Sequence, residues 1–237
     1  MYIRLSIIFL LLFSGPVFAS PSDIGYLSKN KIIDITSIIG APPTIDSLKF
    51  ANDKAISEPV YSINHDSEEY KQATMSSEDS VEELMNSFSE SFGQELSIDK
   101  TPAIYKILSK LIIDANNSKN MAKIFYKRQR PYVFFDRQPC VLVLEDSDSV
   151  ENFSYPSGHT TRAWTFALLL TSLKNNNTIA LFDKAKSIGR DRVVCGVHWQ
   201  SDVEASLTVA TANFAVLQSV NEYQEDLINA RKEVVYE

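Results

Sequence analysis

The sequence predicts an all-α protein in which a helical bundle forms a single domain. After residue 80, apolar residues recur every three or four positions, which is the spacing of one helix face. The alternation of apolar and polar residues that is typical of strands is nearly absent. Hydrophobic residues make up 44% of the 237 residues, and a chain of this length can bury a sizeable core in one domain.

The first 19 residues have the pattern of a secretory signal peptide. Arg4 provides a positive charge, residues 5–13 form a short apolar run, and Val17-Phe18-Ala19 has the small-x-small form of a cleavage site. The alternative, a membrane anchor, is disfavoured because a span needs about 20 apolar residues. We therefore expect cleavage after Ala19 and a periplasmic or secreted mature chain. That chain should contain no membrane span, since its longest apolar run covers only residues 164–170.

The predicted domain has two parts. Residues 20–80 are polar and irregular, with room for short helices, and residues 81–237 form the all-α core; we treat 20–237 as one domain. Ser80 with Glu83 predicts a capping box, and Thr101-Pro102 predicts the N-cap and first residue of the next helix. Further helices are predicted over residues 122–130, 158–173, 178–194, 202–217 and 221–234. The strand-like runs are residues 133–135 and 141–144.

The chain is acidic overall, with 23 Lys and Arg against 30 Asp and Glu and a net charge of −7. Because contacts to nucleic-acid phosphates need a basic surface, this balance argues against a nucleic-acid partner. A site for a small phosphorylated molecule would have to be a local cluster of cations.

The two cysteines, Cys140 and Cys195, can form one disulfide, which export to an oxidising compartment favours. The bridge would close a loop of about 55 residues, for which loop-closure entropy gives about 4 kcal/mol of stabilisation. Two buried free thiols are the alternative.

Three short clusters carry residues suited to phosphate chemistry. In the first, Lys123 and Arg130 lie seven residues apart, which on a helix places both on one face. Arg can bind phosphate through two parallel hydrogen bonds, and Lys binds it as a point charge. Basic helix faces are usually only solvated, so this cluster alone is a weak signal.

The second cluster, Pro156-Ser157-Gly158-His159, stands at the start of a predicted helix. A helix N-terminus has backbone N–H groups without intrahelical partners and the positive end of the macrodipole, so it can hold an anion. Gly158 lets the backbone approach a ligand, Ser157 has a hydroxyl, and His159 can exchange a proton near neutral pH. An N-cap serine beside a structural histidine is the alternative.

The third cluster contains Arg192, His198 and Asp202. Because Asp202 follows His198 by one helical turn, its carboxylate can orient the imidazole and stabilise its positive charge. For this pair alone, a structural salt bridge is the alternative. Together the three clusters predict a phosphoryl-transfer site. The remaining histidine, His65, lies in a polar segment and is expected at the surface.

The combined pattern resembles the acid phosphatase superfamily that also includes lipid phosphate phosphatases and vanadium haloperoxidases. The family motifs are Lys-x6-Arg-Pro, Pro-Ser-Gly-His and Ser-Arg-x5-His-x3-Asp. The residues here that match them are Lys123, Arg130, Pro131, residues 156–159, Arg192, His198 and Asp202. The sequence CGVHWQSDVEA and the positions of both cysteines are similar to class A bacterial non-specific acid phosphatases. The likeness extends from about Pro42 to the C-terminus.

This resemblance implies the helical bundle of the acid phosphatase and haloperoxidase type, and a mechanism. His198 would attack phosphorus to form a phosphohistidine, Asp202 would orient His198, and His159 would protonate the leaving oxygen and then activate water. The groups that would hold the phosphate are Lys123, Arg130, Arg192, Ser157 and the backbone N–H of Gly158. No metal or other cofactor is implied. The implied substrates are small phosphorylated molecules, a class that extends to nucleotides. The resemblance also implies a homo-oligomer, in which the partner is a second copy of the chain.

Two residues depart from the family pattern. Asp191 stands where the family has a serine that donates to phosphate, and Arg162 stands where relatives usually have an apolar residue. An ionised aspartate cannot donate a hydrogen bond and would repel phosphate. We therefore expect Asp191 either to be protonated and donate, or to turn away and pair with Arg162 or Arg190. A third possibility is a weakly active or specialised phosphatase.

The favoured function is an exported phosphomonoesterase with broad specificity and an acidic optimum. Alternatives are a nucleotide-specialised apyrase-like enzyme, a vanadium haloperoxidase, a membrane lipid phosphatase and a phosphate-binding protein without turnover. The short chain argues against the haloperoxidase, and the lack of spans argues against the lipid phosphatase. Binding alone needs no nucleophile, so the presence of His159, His198 and Asp202 argues against the binding protein.

Overall fold

The computed structural model describes residues 24–27, 33–77, 80–141 and 150–235 of the chain. Within these ranges every regular element is a helix, so the all-α prediction is confirmed. The predicted signal peptide, residues 1–19, lies outside the described residues, as does most of the run 141–144. No helix in the described ranges is both long enough and apolar enough to cross a bilayer.

Short helices make up the described part of the N-terminal segment. Each α-helix there begins at a polar N-cap side chain that accepts a hydrogen bond from a first-turn N–H, which satisfies one of the donors that a helix start leaves without a partner. The elements are α1 (Ile35–Ile39), α2 (Leu48–Ser57), a 3₁₀ turn (Pro59–Ser62) and α3 (Glu68–Met75).

The remaining helices include α7, which is largely buried and packs against several of the others. The elements in chain order are α4 (Val81–Phe92), α5 (Pro102–Tyr126), α6 (Pro131–Phe135), a second 3₁₀ turn (Val150–Asn152), α7 (Gly158–Leu173), α8 (Thr178–Val194), α9 (Gln200–Leu217) and α10 (Asn221–Arg231). α7 packs against α5, α8 and α9, while α3 and α4 lie on α8. Phe88, Leu108 and Phe166 are fully buried between these helices, and each such side chain stabilises the fold by about 1.5–3 kcal/mol.

Several helix predictions are confirmed. Residues 158–173 and 178–194 form α7 and α8 with the predicted bounds. At the start of α4, Ser80 Oγ accepts from the Glu83 N–H at 3.1 Å and Glu83 Oε2 accepts from the Ser80 N–H at 3.3 Å, which is the predicted capping box. α9 begins at residue 200 rather than 202, and α10 ends at residue 231 rather than 234; differences of this size are ordinary at helix ends.

The prediction of a helix over residues 122–130 is wrong at its C-terminal end. α5 stops at Tyr126, where Lys127 adopts a left-handed backbone conformation with φ of 47°. Arg130 is extended, as the residue before a proline prefers to be. Lys123 and Arg130 therefore do not share a helix face, and their proximity must come from tertiary structure.

The strand-like interpretation of residues 133–135 is also wrong. They belong to the short helix α6, which begins at Pro131, where the fixed φ of proline suits the first helical position. A short apolar run does not by itself distinguish a strand from a buried helix.

Cys140 and Cys195 form a disulfide, so the predicted pairing is confirmed. The bridge lies directly after α8, and the Cys140 N–H donates to the Cys195 carbonyl at 3.0 Å. The next residue, Gly196, has φ of 76°, and a Cβ there would lie 2.6 Å from the ring of Tyr61. The Tyr61 hydroxyl donates to the Gly196 carbonyl at 3.0 Å. These contacts fix the turn between α8 and α9.

Candidate active site

His198 and Asp202 lie where the turn after α8 enters α9. Asp202 is in the first turn of α9, and its Oδ2 accepts a hydrogen bond from the Trp199 N–H at 2.8 Å. The same oxygen lies 3.4 Å from Nδ1 of His198. Both side chains are buried. The carboxylate therefore orients the imidazole, with Nε2 on the opposite side of the ring.

The other carboxylate oxygen of Asp202 takes part in a buried series of ion pairs. Arg128 Nη1 donates to Asp202 Oδ1, and Nη2 of the same guanidinium donates to Asp53 Oδ2 at 2.7 Å. Asp53 comes from α2, and its Oδ1 accepts from the Ser201 N–H at 2.9 Å. Burial raises the pKa of Asp202, and the Arg128 cation opposes that rise. Arg128 thus favours the ionised carboxylate that the histidine requires.

Buried cations act on His198. Arg130 Nη1 lies 3.3 Å from His198 Nε2. Burial, followed by repulsion from Arg130, Lys123 and Arg192, holds the pKa of His198 well below its ordinary value of 6.5, although the Ser154 backbone acts in the opposite direction. The imidazole is therefore neutral. Because Nδ1 faces the carboxylate and carries the proton, Nε2 keeps a lone pair.

Arg128 and Arg130 reach the site from the segment between α5 and α6. Two hydrogen bonds fix this segment: the Ser154 N–H donates to the Arg128 carbonyl at 2.9 Å, and Trp199 Nε1 donates to the Gln129 carbonyl at 2.8 Å. Arg128 donates to Asp202 Oδ1, and Arg130 Nη1 lies 3.3 Å from His198 Nε2, so the two guanidinium groups contact neighbouring members of the histidine–carboxylate pair.

Ser157 caps α7 and joins its N-terminus to α9. Ser157 Oγ accepts from the Thr160 hydroxyl at 2.9 Å, and the Ser157 N–H donates to the Asp202 carbonyl at 3.3 Å. Ser206 in α9 donates to the Ser157 carbonyl at 2.9 Å. The N-terminus of α7, which can hold an anion, therefore lies beside the histidine–carboxylate pair.

Gly158 packs against Lys119, a residue that the sequence analysis missed. A Cβ at position 158 would lie 2.9 Å from Lys119 Cδ and 3.1 Å from its Nζ. Lys119 is 4% exposed and precedes Lys123 by one turn of α5. It adds a further buried cation at the N-terminus of α7, and its spacing from Lys123 was the available sequence signal.

His159, the second residue of α7, is positioned by the segment that follows α3. Its Nε2 lies 3.0 Å from the Ser77 carbonyl oxygen. Because a carbonyl only accepts hydrogen bonds, Nε2 carries a proton. Burial, followed by repulsion from Arg192 and Arg162, holds the pKa of His159 well below its ordinary value of 6.5.

The Asp191 side chain is directed to the end of α3. Its Oδ2 accepts from Ser76 Oγ at 2.6 Å, and Ser76 Oγ in turn accepts from Gln72 Nε2 at 3.0 Å. In the part of the chain that the structure describes, neither Arg162 nor Arg190 forms an ion pair with Asp191. The partner of Asp191 is thus a serine rather than the arginine that one of our hypotheses requires.

The structure brings the three sequence clusters together at the N-termini of α7 and α9 and the C-terminus of α8. The predicted residues in this region are Lys123, Arg130, Ser157, Gly158, His159, Arg162, Asp191, Arg192, His198 and Asp202. Besides Lys119, sequence reasoning missed Asp53, Arg128 and the Ser76-Ser77 segment. Arg128 stands two residues before Arg130, which was a usable signal. No local pattern marks Asp53, which lies 148 residues from its partner Ser201.

The third histidine lies outside this region. His65 is exposed, as predicted, and stacks on Tyr70 with ring centroids 4.2 Å apart. Among the residues that the structure describes, no three or more His, Cys, Asp or Glu side chains are grouped so as to hold a metal ion.

Comparison with protein families and with named proteins gives consistent matches. The family model for the PAP2 superfamily matches residues 102–225. A non-specific acid phosphatase of Providencia stuartii is 35% identical over 212 residues, which cover 89% of this chain and 85% of that protein. A non-specific acid phosphatase of Salmonella typhimurium is 33% identical over 195 residues, which cover 81% of this chain and 77% of that protein.

A solved structure shares the fold. It is the crystal structure of the first transmembrane PAP2 type phosphatidylglycerolphosphate phosphatase from Bacillus subtilis, which matches with a TM-score of 0.50 at 20% identity. The match covers 75% of this chain and 89% of that chain. At this identity the likeness concerns the helical architecture alone.

Proposed function

Because the chain belongs to the PAP2 superfamily and is a hydrolase related to bacterial non-specific acid phosphatases, we propose that it hydrolyses phosphate monoesters through a phosphohistidine at His198. One observation carries the proposal: His198 is buried, neutral and oriented by Asp202, with Nε2 against the Arg130 guanidinium. A site that only binds phosphate needs no histidine held by a carboxylate.

The substrate phosphate would be bound by buried cationic side chains and by hydrogen-bond donors at the N-terminus of α7. Lys123, Arg130 and Arg192 supply positive charges in a buried setting, where electrostatic attraction is stronger than in water. Ser157 and the backbone N–H of Gly158 supply donors at the start of α7. These groups would stabilise the negative charge of the transferring phosphoryl group, which is the main requirement of phosphoryl transfer.

The reaction would proceed in two displacements. The Nε2 lone pair of His198 attacks phosphorus, the bond from phosphorus to the leaving oxygen breaks, and that oxygen takes a proton from His159. Water then attacks the phosphohistidine and gives a proton to His159, and the N–P bond breaks with return of the electron pair to Nε2. Asp202 holds the Nδ1 proton and stabilises the positive charge of the phosphorylated imidazole.

The pKa directions support an acidic working range. The lowered pKa of His198 keeps the nucleophile neutral in mildly acidic solution. The pKa of His159 is also lowered, by burial and then by Arg192 and Arg162. A bound phosphate anion would offset those two cations and so favour the protonated imidazole that a general acid needs. Substrate binding would thus leave His198 neutral and His159 protonated, as the nucleophile and the general acid require.

The test is phosphate release from p-nitrophenyl phosphate between mildly acidic and neutral pH, in the presence of EDTA. We expect turnover by the unmodified protein and a loss of at least about 10³-fold in kcat for His198→Ala. His65→Ala, which removes an exposed histidine, is the matched control and should retain full activity. Rapid alkaline quenching followed by intact-mass measurement should detect a phosphoryl adduct in the unmodified protein. Undiminished turnover by His198→Ala would contradict the proposal.

We further propose that the chain is exported and self-associates. Export is supported by the signal-peptide pattern of residues 1–19 and self-association by the family resemblance. Cell fractionation and light scattering of the purified mature chain test the two points separately.

A further inference from the structure

Two consecutive residues after α3 contact the candidate active site at two different helices. The Ser77 carbonyl oxygen lies 3.0 Å from Nε2 of His159, in the first turn of α7. Ser76 Oγ donates to Oδ2 of Asp191, in the last turn of α8, at 2.6 Å. The end of α3 therefore links Asp191 to the proposed general acid.

The Ser77 carbonyl determines how the imidazole of His159 is oriented. Nε2 donates its proton to this carbonyl, so in the protonated ring the proton that the leaving oxygen takes comes from Nδ1. After that transfer Nδ1 has a lone pair, which can accept a proton from water in the second displacement. A shift of the carbonyl would rotate the ring and misdirect Nδ1, and proton transfer in a transition state depends on such positioning.

Ser77 is fixed to the end of α3 by its own hydrogen bonds. Its N–H and its hydroxyl both donate to the Thr74 carbonyl, at 3.2 Å and 2.6 Å. The Ser76 N–H donates to the Gln72 carbonyl at 2.9 Å. Because residues 76 and 77 continue the hydrogen bonding of the helix, a movement of Ser76 also displaces the Ser77 carbonyl.

The hydrogen bond to Asp191 fixes Ser76 on α8. Asp191 is 4% exposed, and a length of 2.6 Å is typical of a hydroxyl that donates to a carboxylate. Gln72 Nε2 donates to Ser76 Oγ at 3.0 Å, so this oxygen already accepts one bond while its single proton is directed to Asp191. α3 also packs on α8, and the bond adds a defined position for its last residues.

We propose, on the basis of the function proposed above, that Asp191 and Ser76 are positioning residues for the general acid: Asp191 holds Ser76, and Ser76 places the Ser77 carbonyl against His159. Neither side chain needs to contact the substrate. This role gives a use to the aspartate that departs from the family pattern. Loss of the bond should impair protonation of the leaving oxygen and spare the attack by the nucleophile.

The experiment compares kcat/KM for phenyl phosphate and for 2,4-dinitrophenyl phosphate. This constant includes the first displacement, in which the leaving oxygen takes its proton. Phenolate is strongly basic and needs that proton, whereas dinitrophenolate leaves readily without it. For Ser76→Ala we expect a loss of about tenfold or more with phenyl phosphate and less than about twofold with 2,4-dinitrophenyl phosphate. Ser76→Thr, which keeps the hydroxyl, should restore most of the activity with phenyl phosphate.

Variants of Asp191 test the other end of the bond. Asp191→Ala should reproduce the selective loss, and Asp191→Asn, which keeps an oxygen that can accept from Ser76, should show less of it. The charge removed acts on the phosphate of both esters alike, so the ratio of their kcat/KM values is the quantity to compare. Because both residues act through one bond, the double variant Ser76→Ala, Asp191→Ala should be no more selective than either single variant.

Ser187→Ala is the matched control. Ser187 is a half-buried serine of α8 whose hydroxyl donates to the Lys184 carbonyl of its own helix at 2.8 Å. Its removal should leave both values of kcat/KM unchanged.

The outcomes separate the two proposals. If the unmodified protein hydrolyses neither ester, the proposed function fails and the positioning role fails with it. If it hydrolyses both esters, and Ser76→Ala lowers both values of kcat/KM equally or changes neither, only the positioning role is overturned. A selective loss that Ser76→Thr does not restore would also overturn it, because the hydroxyl would then not be the group that matters.

Discussion

At the scale of single residues, the site depends on a balance of buried charges. His198 must stay neutral, and burial with nearby cations achieves this. Asp202 must stay ionised although burial raises its pKa, and the Arg128 cation opposes that rise. Arg128 in turn is neutralised by Asp53, which touches neither histidine. Asp53 is therefore a positioning residue, which acts on the histidine–carboxylate pair through Arg128.

Asp53→Asn tests this positioning role. The amide keeps the shape of the side chain but removes the charge that holds Arg128, so Arg128 is drawn more strongly to Asp202 and away from its present geometry. We expect kcat to fall about tenfold with KM nearly unchanged, because Asp53 does not contact substrate. Asp46→Asn, on an exposed carboxylate just before α2, is the control. A folded Asp53→Asn protein with unchanged kcat would contradict the role.

The bond between Asp191 and Ser76 makes a second residue-scale prediction. Asp191 precedes the phosphate-binding candidate Arg192, and a carboxylate there opposes anion binding by charge repulsion. Asp191→Asn keeps a side-chain oxygen that can accept from Ser76 and removes the charge. We expect inorganic phosphate to inhibit this variant about threefold more strongly than the unmodified protein. Asp183→Asn, on the exposed face of α8, should leave phosphate inhibition unchanged; weaker inhibition of Asp191→Asn would contradict the argument.

At the scale of secondary-structure elements, the sequence predicts those features that depend only on neighbouring residues. The capping box and the apolar periodicity are local, and α4, α7 and α8 follow them. The end of α5 is different, because the left-handed residue Lys127 is not the glycine that usually marks such an end. Pro131 shows only that a helix must stop before it. The segment between α5 and α6, which positions Arg128 and Arg130, is held by hydrogen bonds from Ser154 and Trp199, which no local pattern reveals.

The disulfide is the element-scale feature with the largest expected effect. It fixes the turn that leads from α8 to His198, three residues beyond Cys195. Replacing both cysteines by alanine should lower the free energy of unfolding by about 2–4 kcal/mol, as measured by urea denaturation. Since the turn positions His198, kcat should also fall at temperatures where the variant is folded. An unchanged denaturation midpoint would contradict the stabilising role.

At the scale of the whole molecule, we infer that the described N-terminal segments belong to the same domain as the core. The Tyr26 and Leu27 N–H groups donate to Asp114 in α5 at 2.9 Å and 3.0 Å, and the Tyr26 hydroxyl donates to Asp226 in α10 at 2.8 Å. Asp53 reaches the centre of the candidate active site. Removing the N-terminal segments would leave Asp114, Asp226 and Arg128 of the core without these partners. The free energy of unfolding would fall, because a buried charge without its partner is strongly destabilising.

The buried histidines make the stability of the whole molecule depend on pH. His159 and His198 have lowered pKa values, whereas in the unfolded chain they titrate near 6.5. Below that pH the unfolded chain binds more protons, so the free energy of unfolding falls as pH decreases, by at most about 1.4 kcal/mol per pH unit for each histidine. Asp114 acts oppositely, because burial raises its pKa to about 6 and the folded protein takes up its proton first.

Urea denaturation between pH 7 and pH 5.5 separates these contributions. We expect the free energy of unfolding of the unmodified protein to fall across this range, and we expect the double variant His159→Gln, His198→Gln to lose most of that fall. Asp114→Asn should show a steeper fall than the unmodified protein, since its opposing proton uptake is gone. His65→Gln should leave the slope unchanged because His65 is exposed. An unaltered slope in the double variant would mean that the folded protein binds protons at these histidines, and the neutral nucleophile on which the proposed mechanism depends would have to be abandoned.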